Sequence, residues 1–146
     1  MTYPQPVPTV AKVQLYMDFI TALGWSEIQE VTWPLFPGPE MTDIGPDRAV
    51  FITPTPGPGW VTDEAALDCG GFQALTRGPA NDPLTPGLAA QQLDVLLLNA
   101  RTPMTVDGVT ISLVTRSGGP PTPLPLDPNN RLFEYVCTYL ITTGLE

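Results

Sequence analysis

Histidine is absent from this 146-residue chain, and that single absence closes several kinds of chemistry. No imidazole is present to activate a serine or cysteine nucleophile, to exchange protons near neutral pH, or to build a carboxylate-histidine-zinc site. Serine is scarce too: Ser26, Ser112 and Ser117 are the only ones, and none lies in a G-x-S-x-G elbow. Charged residues make up 14% of the chain, roughly half the usual share of about 25%. They are lopsided, with 15 acids against 6 bases and a net charge of −9, which sets the chain against phosphate and so against nucleic acid as a primary ligand. Cys69 and Cys137 stand alone in strand-like runs and read as buried, reduced thiols rather than a disulfide. No apolar run approaches the ~20 residues that cross a bilayer. MTYPQPVPT has neither the basic start nor the apolar core of a signal peptide, so a cytoplasmic protein is expected. The glycine-rich spots DCGGF and TRSGG match neither a dinucleotide nor a phosphate loop, and Asp63-Glu64 and Asp127 to Asn130 have the composition of solvated turns. Catalytic residues, cofactors and bound metals are accordingly not expected, and neither is enzymatic activity.

What the chain has in excess is proline, 19 residues of it. The prolines cluster at 4 to 8, 34 to 46, 54 to 58, 79 to 86 and 120 to 128, and because proline breaks helices and central strands, regular structure is expected between the clusters. In the first interval Val10, Val13, Met17 and Ile20 recur at helical spacing, with Thr9 placed to cap the start and Gly24 to end the helix. SEIQEVTW could add a short strand. RAVFITP, Arg48 to Pro54, reads as a strand, and LDCGGFQALTRG as another with a bulge at Gly70-Gly71. A second helix follows, with Thr85 as cap, Pro86 in its first position, and Ala89, Leu93, Leu96, Leu97 and Ala100 facing the core; Gln91, Gln92 and Asp94 fill much of the other face. In MTVDGVTISLVTR, Asp107-Gly108 is a hairpin signal. The closing strand RLFEYVCTYLITT places Phe133, Tyr135, Cys137, Tyr139 and Ile141 on one face.

Strands that follow one another without a helix between each pair predict an α+β fold: one domain over residues 1–146, a mostly antiparallel sheet of four to five strands, and two helices packed on one face. The segment 118–130, GGPPTPLPLDPNN, is then a proline-rich loop or arm between two strands. Trp33, Phe36 and Trp60 lie in or beside proline loops, where aromatics either pack under their own loop or anchor a partner. Arg116 and Arg131 flank the proline segment, and with Pro121, Pro123, Leu124 and Pro125 they complete the candidate partner contacts.

The order of pieces carries a resemblance. FQALTRGPANDP ending a strand, the helix GLAAQQLDVLLLNA, a hairpin around VDGVTISLVTRSGGP, a proline-rich run to LDPNNRLFEY and a closing aromatic strand together resemble the tail terminator proteins of long-tailed bacteriophages. The initial helix and PDRAVFIT fit the same scheme, so the resemblance spans roughly Pro8 to Thr143 as a layout with loose motifs. It implies a structural virion protein of the tail neck, assembled in the bacterial cytoplasm. Its subunits would form a ring, a hexamer in most such proteins, on the head-proximal end of the tail tube, stopping tube growth and offering the surface that joins the head. The implied partners are other copies of the chain, the tail tube protein and a head completion or neck protein, with DNA passing through unbound and no membrane. Rival readings are another neck component, such as a head completion or stopper protein, a carboxylate-based small hydrolase, and a monomeric binding module.

Overall fold

The computed structural model of the chain describes residues 9–25, 33–38, 48–62, 67–125 and 132–145, and among these it has two long helices and a seven-stranded sheet. Helix α1 spans Thr9–Ala22 and α2 spans Thr85–Leu98. The strands are β1 (Leu35–Pro37), β2 (Ala49–Thr62), β3 (Leu67–Ala80), β4 (Met104–Val106), β5 (Val109–Arg116), β6 (Thr122–Pro123) and β7 (Leu132–Leu145). They lie in the order β1-β2-β3-β7-β5-β4, and β6 also pairs with β7. The α+β class is as expected. The sheet differs in two ways: it has seven strands where four to five were expected, because Leu35–Pro37 and Thr122–Pro123 add short strands within proline-rich segments, and it is mixed, because β1 runs parallel to β2.

Proline did not stop β2 where expected. The strand continues past Ile52 through Pro54, Pro56 and Pro58 to Thr62. Its free side explains this: among the described residues β1 covers only Val50 to Ile52, so from Pro54 onward no described strand pairs with β2 on that side, where a missing N–H costs the ladder nothing. Register with β3 is kept at Pro54 opposite Phe72 and lapses between Thr55 and Gly59. The irregularity therefore lies in β2 rather than at Gly70-Gly71 of β3, which pair in unbroken register with Ile141 and Leu140 of β7. Those glycines serve close approach instead: a Cβ on Gly71 would run into the Tyr139 carbonyl, and one on Gly70 would lie 3.1 Å from the Tyr16 hydroxyl.

Both helices pack on one face of the sheet. Leu15, Tyr16, Phe19 and Ile20 of α1, and Ala89, Leu93 and Leu97 of α2, close over Val50, Ile52, Phe72, Ala74, Cys137, Tyr139 and Ile141. The Tyr16, Phe72 and Tyr139 rings follow one another at centroid distances of 5.1 and 5.4 Å, within the range of favourable aromatic pairs. The stripe α1 buries is thus turned from the expected Val13-Met17 line, both of which are only half buried, towards its two aromatics. Larger apolar surfaces gain more from burial and set the rotation. On β7 the odd-numbered residues face the helices as the alternation predicts. Gly24 ends α1 with φ +96°, and Asp107 (φ +52°) with Gly108 (φ +75°) makes the two-residue turn between β4 and β5. SEIQEVTW falls mostly outside the described residues.

On the opposite face, Ala49, Phe51 and Arg77 are buried, Arg77 to 2% exposure with its guanidinium 5.0 Å from the Phe51 ring centre. Arg77 stands opposite Glu134 in the β3–β7 ladder, an opposite-charge cross-strand position that an arginine on a strand can use.

Candidate interaction surface

Helix α2 is set by a carboxylate three residues before its first residue. Asp82 Oδ1 accepts hydrogen bonds from the backbone N–H groups of Leu84 (3.1 Å) and Thr85 (3.0 Å); the cap position falls to Leu84 rather than to Thr85, the acceptor comes from Asp82 upstream, and Pro86 takes the second helical position. Hydrogen bonds from Thr85, by side chain first and then backbone, hold the Asp82 carboxyl below the ordinary aspartate value. With the start fixed, the inner face carries Pro86, Ala89, Ala90, Leu93 and Leu97. The outer face is apolar as well: Leu84, Leu88, Val95 and Leu98 are 67, 49, 58 and 39% exposed. Between α2 and the end of α1 runs a groove of about 750 Å³, bounded by Ala22 and Leu23 on one side, Leu88, Val95 and Leu96 on the other, and Met104 and Arg101 at its end.

Asp94 is the single charged residue of α2, and it does not join the outer face as the pattern predicted. It turns to the sheet, where Tyr139 Oη donates to Asp94 Oδ1 at 2.9 Å and Arg116 Nε lies 3.5 Å from the same oxygen. A carboxylate so supplied with partners can sit at a helix flank at little cost. Cys137, two residues before Tyr139 on the same face, donates its thiol to the Gly119 carbonyl at 3.8 Å. Burial pushes both the Cys137 thiol and the Tyr139 phenol up from their ordinary values. Cys137 is therefore a thiol at neutral pH, a poor nucleophile, and the cluster fastens α2, β5, β7 and the proline segment together rather than activating a group. The register puts Cys137 opposite Ala74, five positions along β3 from Cys69, which is about 17 Å and far beyond disulfide reach. Both cysteines are free and buried, as expected.

The proline segment answers to β7. After β5 ends, the Ser117 N–H donates to the Thr138 carbonyl at 2.9 Å; Gly118 to Pro121 bow away, and β6 returns to pair Thr122 with Val136 and Pro123 with Tyr135. Leu124 N–H then donates to the Glu134 carbonyl at 2.9 Å. Residues 118–125 thus form a ledge along the domain's own sheet, with Pro123 and Pro125 exposed, Leu124 half buried, and Pro121 half buried over a small hollow beside Leu84, Leu88 and Tyr135. The rest of the segment, including Arg131, lies outside the described residues.

Of the other partner-contact candidates, Trp33 is buried at 3% exposure, accepts the Trp25 indole N–H on its carbonyl at 2.9 Å, and belongs to the core rather than to an interface. Phe36 is half buried, stacked on Phe51 at 5.8 Å. Trp60 lies on β2 opposite Asp68, its side chain outside what is described. Arg116 is held by Asp94. The structure gathers Arg116, Pro121, Pro123, Leu124 and Pro125 along one side of β7 and leaves Trp33 and Phe36 near β1. The outer leucines of α2 lie off the face that helical spacing assigns to the core, although their own spacing is equally regular. Comparison with family models finds no match, and neither does comparison with curated proteins.

Proposed function

We propose that this chain is a structural subunit of a long-tailed bacteriophage virion, one of a ring that caps the head-proximal end of the tail tube and presents the surface to which the head is joined. The observation that carries the reading is the order of elements, in which a helix, a long strand pair, a second helix, a tight hairpin, a proline-rich passage and a closing aromatic strand follow one another. Both helices lying on one face of the sheet suits the same scheme. Two surfaces support a role in assembly. The outer face of α2 exposes apolar side chains with no charge among them, and the ledge at 118–125 offers proline-stiffened backbone that loses little freedom on docking. Copies at −9 each repel, which keeps free subunits from closing into a ring at low salt and lets a tube end template it.

The test is electron microscopy of isolated tail tubes with and without the purified protein. Tubes ending in a ring, and failing to elongate when tube protein is added, are the expected result. Tubes left bare and still growing would overturn the reading, and binding to head connectors alone would move the protein to the stopper position of the neck.

A further inference from the structure

A helix that only covers a sheet has one apolar face, and α2 has two. Its outer positions Leu84, Leu88, Gln91, Val95 and Leu98 are spaced four, three, four and three residues apart, the 3.5-residue period along which a second helix packs. Gln91 is central, with Leu84 and Leu98 seven residues away on either side and Leu88 and Val95 at three and four. A stripe so balanced about its midpoint is complementary to itself when turned end for end. We propose that α2 docks antiparallel on α2 of a second copy of this chain, about a two-fold axis passing through Gln91.

Charge selects both the face and the direction. In a chain of net charge −9 two copies approach at least cost where neither carries charge, and the outward residues of α2, from Leu84 to Asn99, are all neutral. Arg101 is exposed just past the C-terminal end of the helix, and Asp82 lies just before its start. Antiparallel docking brings each Arg101 towards Asp82 of the other copy, whereas parallel docking would set like charges side by side. Leu23 and Met104, at the walls of the 750 Å³ groove, widen the contact beyond the helix itself. The scale fixes the strength: a helix of 14 residues is about 21 Å long, and a strip of that length falls well short of the ~800 Å² per partner of a stable complex. The dimer is therefore reversible. It is argued without reference to the tail, and being two-fold it differs from the head-to-tail contacts that close a ring.

Sedimentation of the full chain from micromolar to near-millimolar concentration tests it. A monomer–dimer equilibrium is expected, weakened on the order of tenfold or more in Leu88→Lys/Val95→Lys, with an unchanged circular dichroism spectrum. Gln91→Cys should form a disulfide-linked dimer under mild oxidation, while Gln14→Cys on the outer face of α1 should not. A wild-type chain monomeric throughout that range, or equal cross-linking at positions 14 and 91, would overturn the proposal. So would association that the double lysine variant leaves untouched. Tube capping is scored separately, so either reading can fail alone.

Discussion

The two helices have the same length and cover the same sheet, yet their outer faces are unlike. On α1 the outward side chains are Gln14, whose amide donates to Asp18 at 2.7 Å, and Thr21, whose hydroxyl donates to the Met17 carbonyl at 2.9 Å. This is a face composed for water. On α2 the outward side chains include three leucines and a valine beside the neutral Gln91 and Gln92, while the inner face is partly built from Ala89 and Ala90. Small residues let α2 sit close to the sheet, and its large apolar ones are turned away from it. Covering the sheet explains the composition of α1; it leaves half of α2 unexplained.

The sharpest separation of the two faces comes from truncation. Phe19→Ala in α1 and Leu93→Ala in α2, both fully buried, should each cost about 2–5 kcal/mol in equilibrium urea unfolding. Tyr139→Phe comes next, at about 1–3 kcal/mol, because it leaves Asp94 at a buried flank with one donor fewer. Hydrogen exchange should quicken in α2 under that substitution and stay unchanged in α1. By contrast, Leu88→Gln, which gives α2 an α1-like exterior, should move stability by no more than about 0.5 kcal/mol while reducing retention on a hydrophobic column. A loss comparable to that of Leu93→Ala would show that the outer face is already covered by the chain itself.

Acid should act on the two helices in opposite directions. The lowered value of Asp82 means that its cap stabilises α2 above the ordinary aspartate range and is lost as pH falls through the lowered value. Asp107 is raised, chiefly by a hydrogen bond shared with Asp18 of α1 and then by partial desolvation and the like charge. Its penalty is present above that raised value and relieved as pH falls through it. Asp107→Asn should therefore raise the melting temperature slightly at neutral pH and have no effect in acid, whereas Asp82→Asn should lower it at neutral pH and also converge with the parent in acid. Scanning calorimetry of the three proteins between pH 3 and 7 reads both signs.

How much of this was legible in the chain depended on whether a signal was local. The inward run Ala89-Leu93-Leu97, the Asp107-Gly108 turn and the alternation of β7 are decided by neighbours in sequence and appear where the pattern put them, while the start of α2 falls one residue earlier than the expected Thr85 cap. The course of β2 through Pro54 to Pro58 was not legible, because whether a proline harms a strand depends on what lies on each side of it, and the brevity of β1 is a tertiary fact. Asp94 was not legible for the same reason: it is a charged residue that goes inward only because partners from β5 and β7 are waiting there. The α2 seam was visible and went uncounted, since a helix was expected to have one core face.

One consequence follows from the way β7 is covered. Its fourteen residues would offer a long template for cross-β stacking if one side lay open. Instead β3 lines one side, and the other is shared between β5 and the short β6. Beyond β6 the outward rim is made of Pro120, Pro121, Pro123 and Pro125, none of which has an amide hydrogen to offer an incoming strand. The ladder of β7 is thereby protected from zipping into fibrils with strands of other copies.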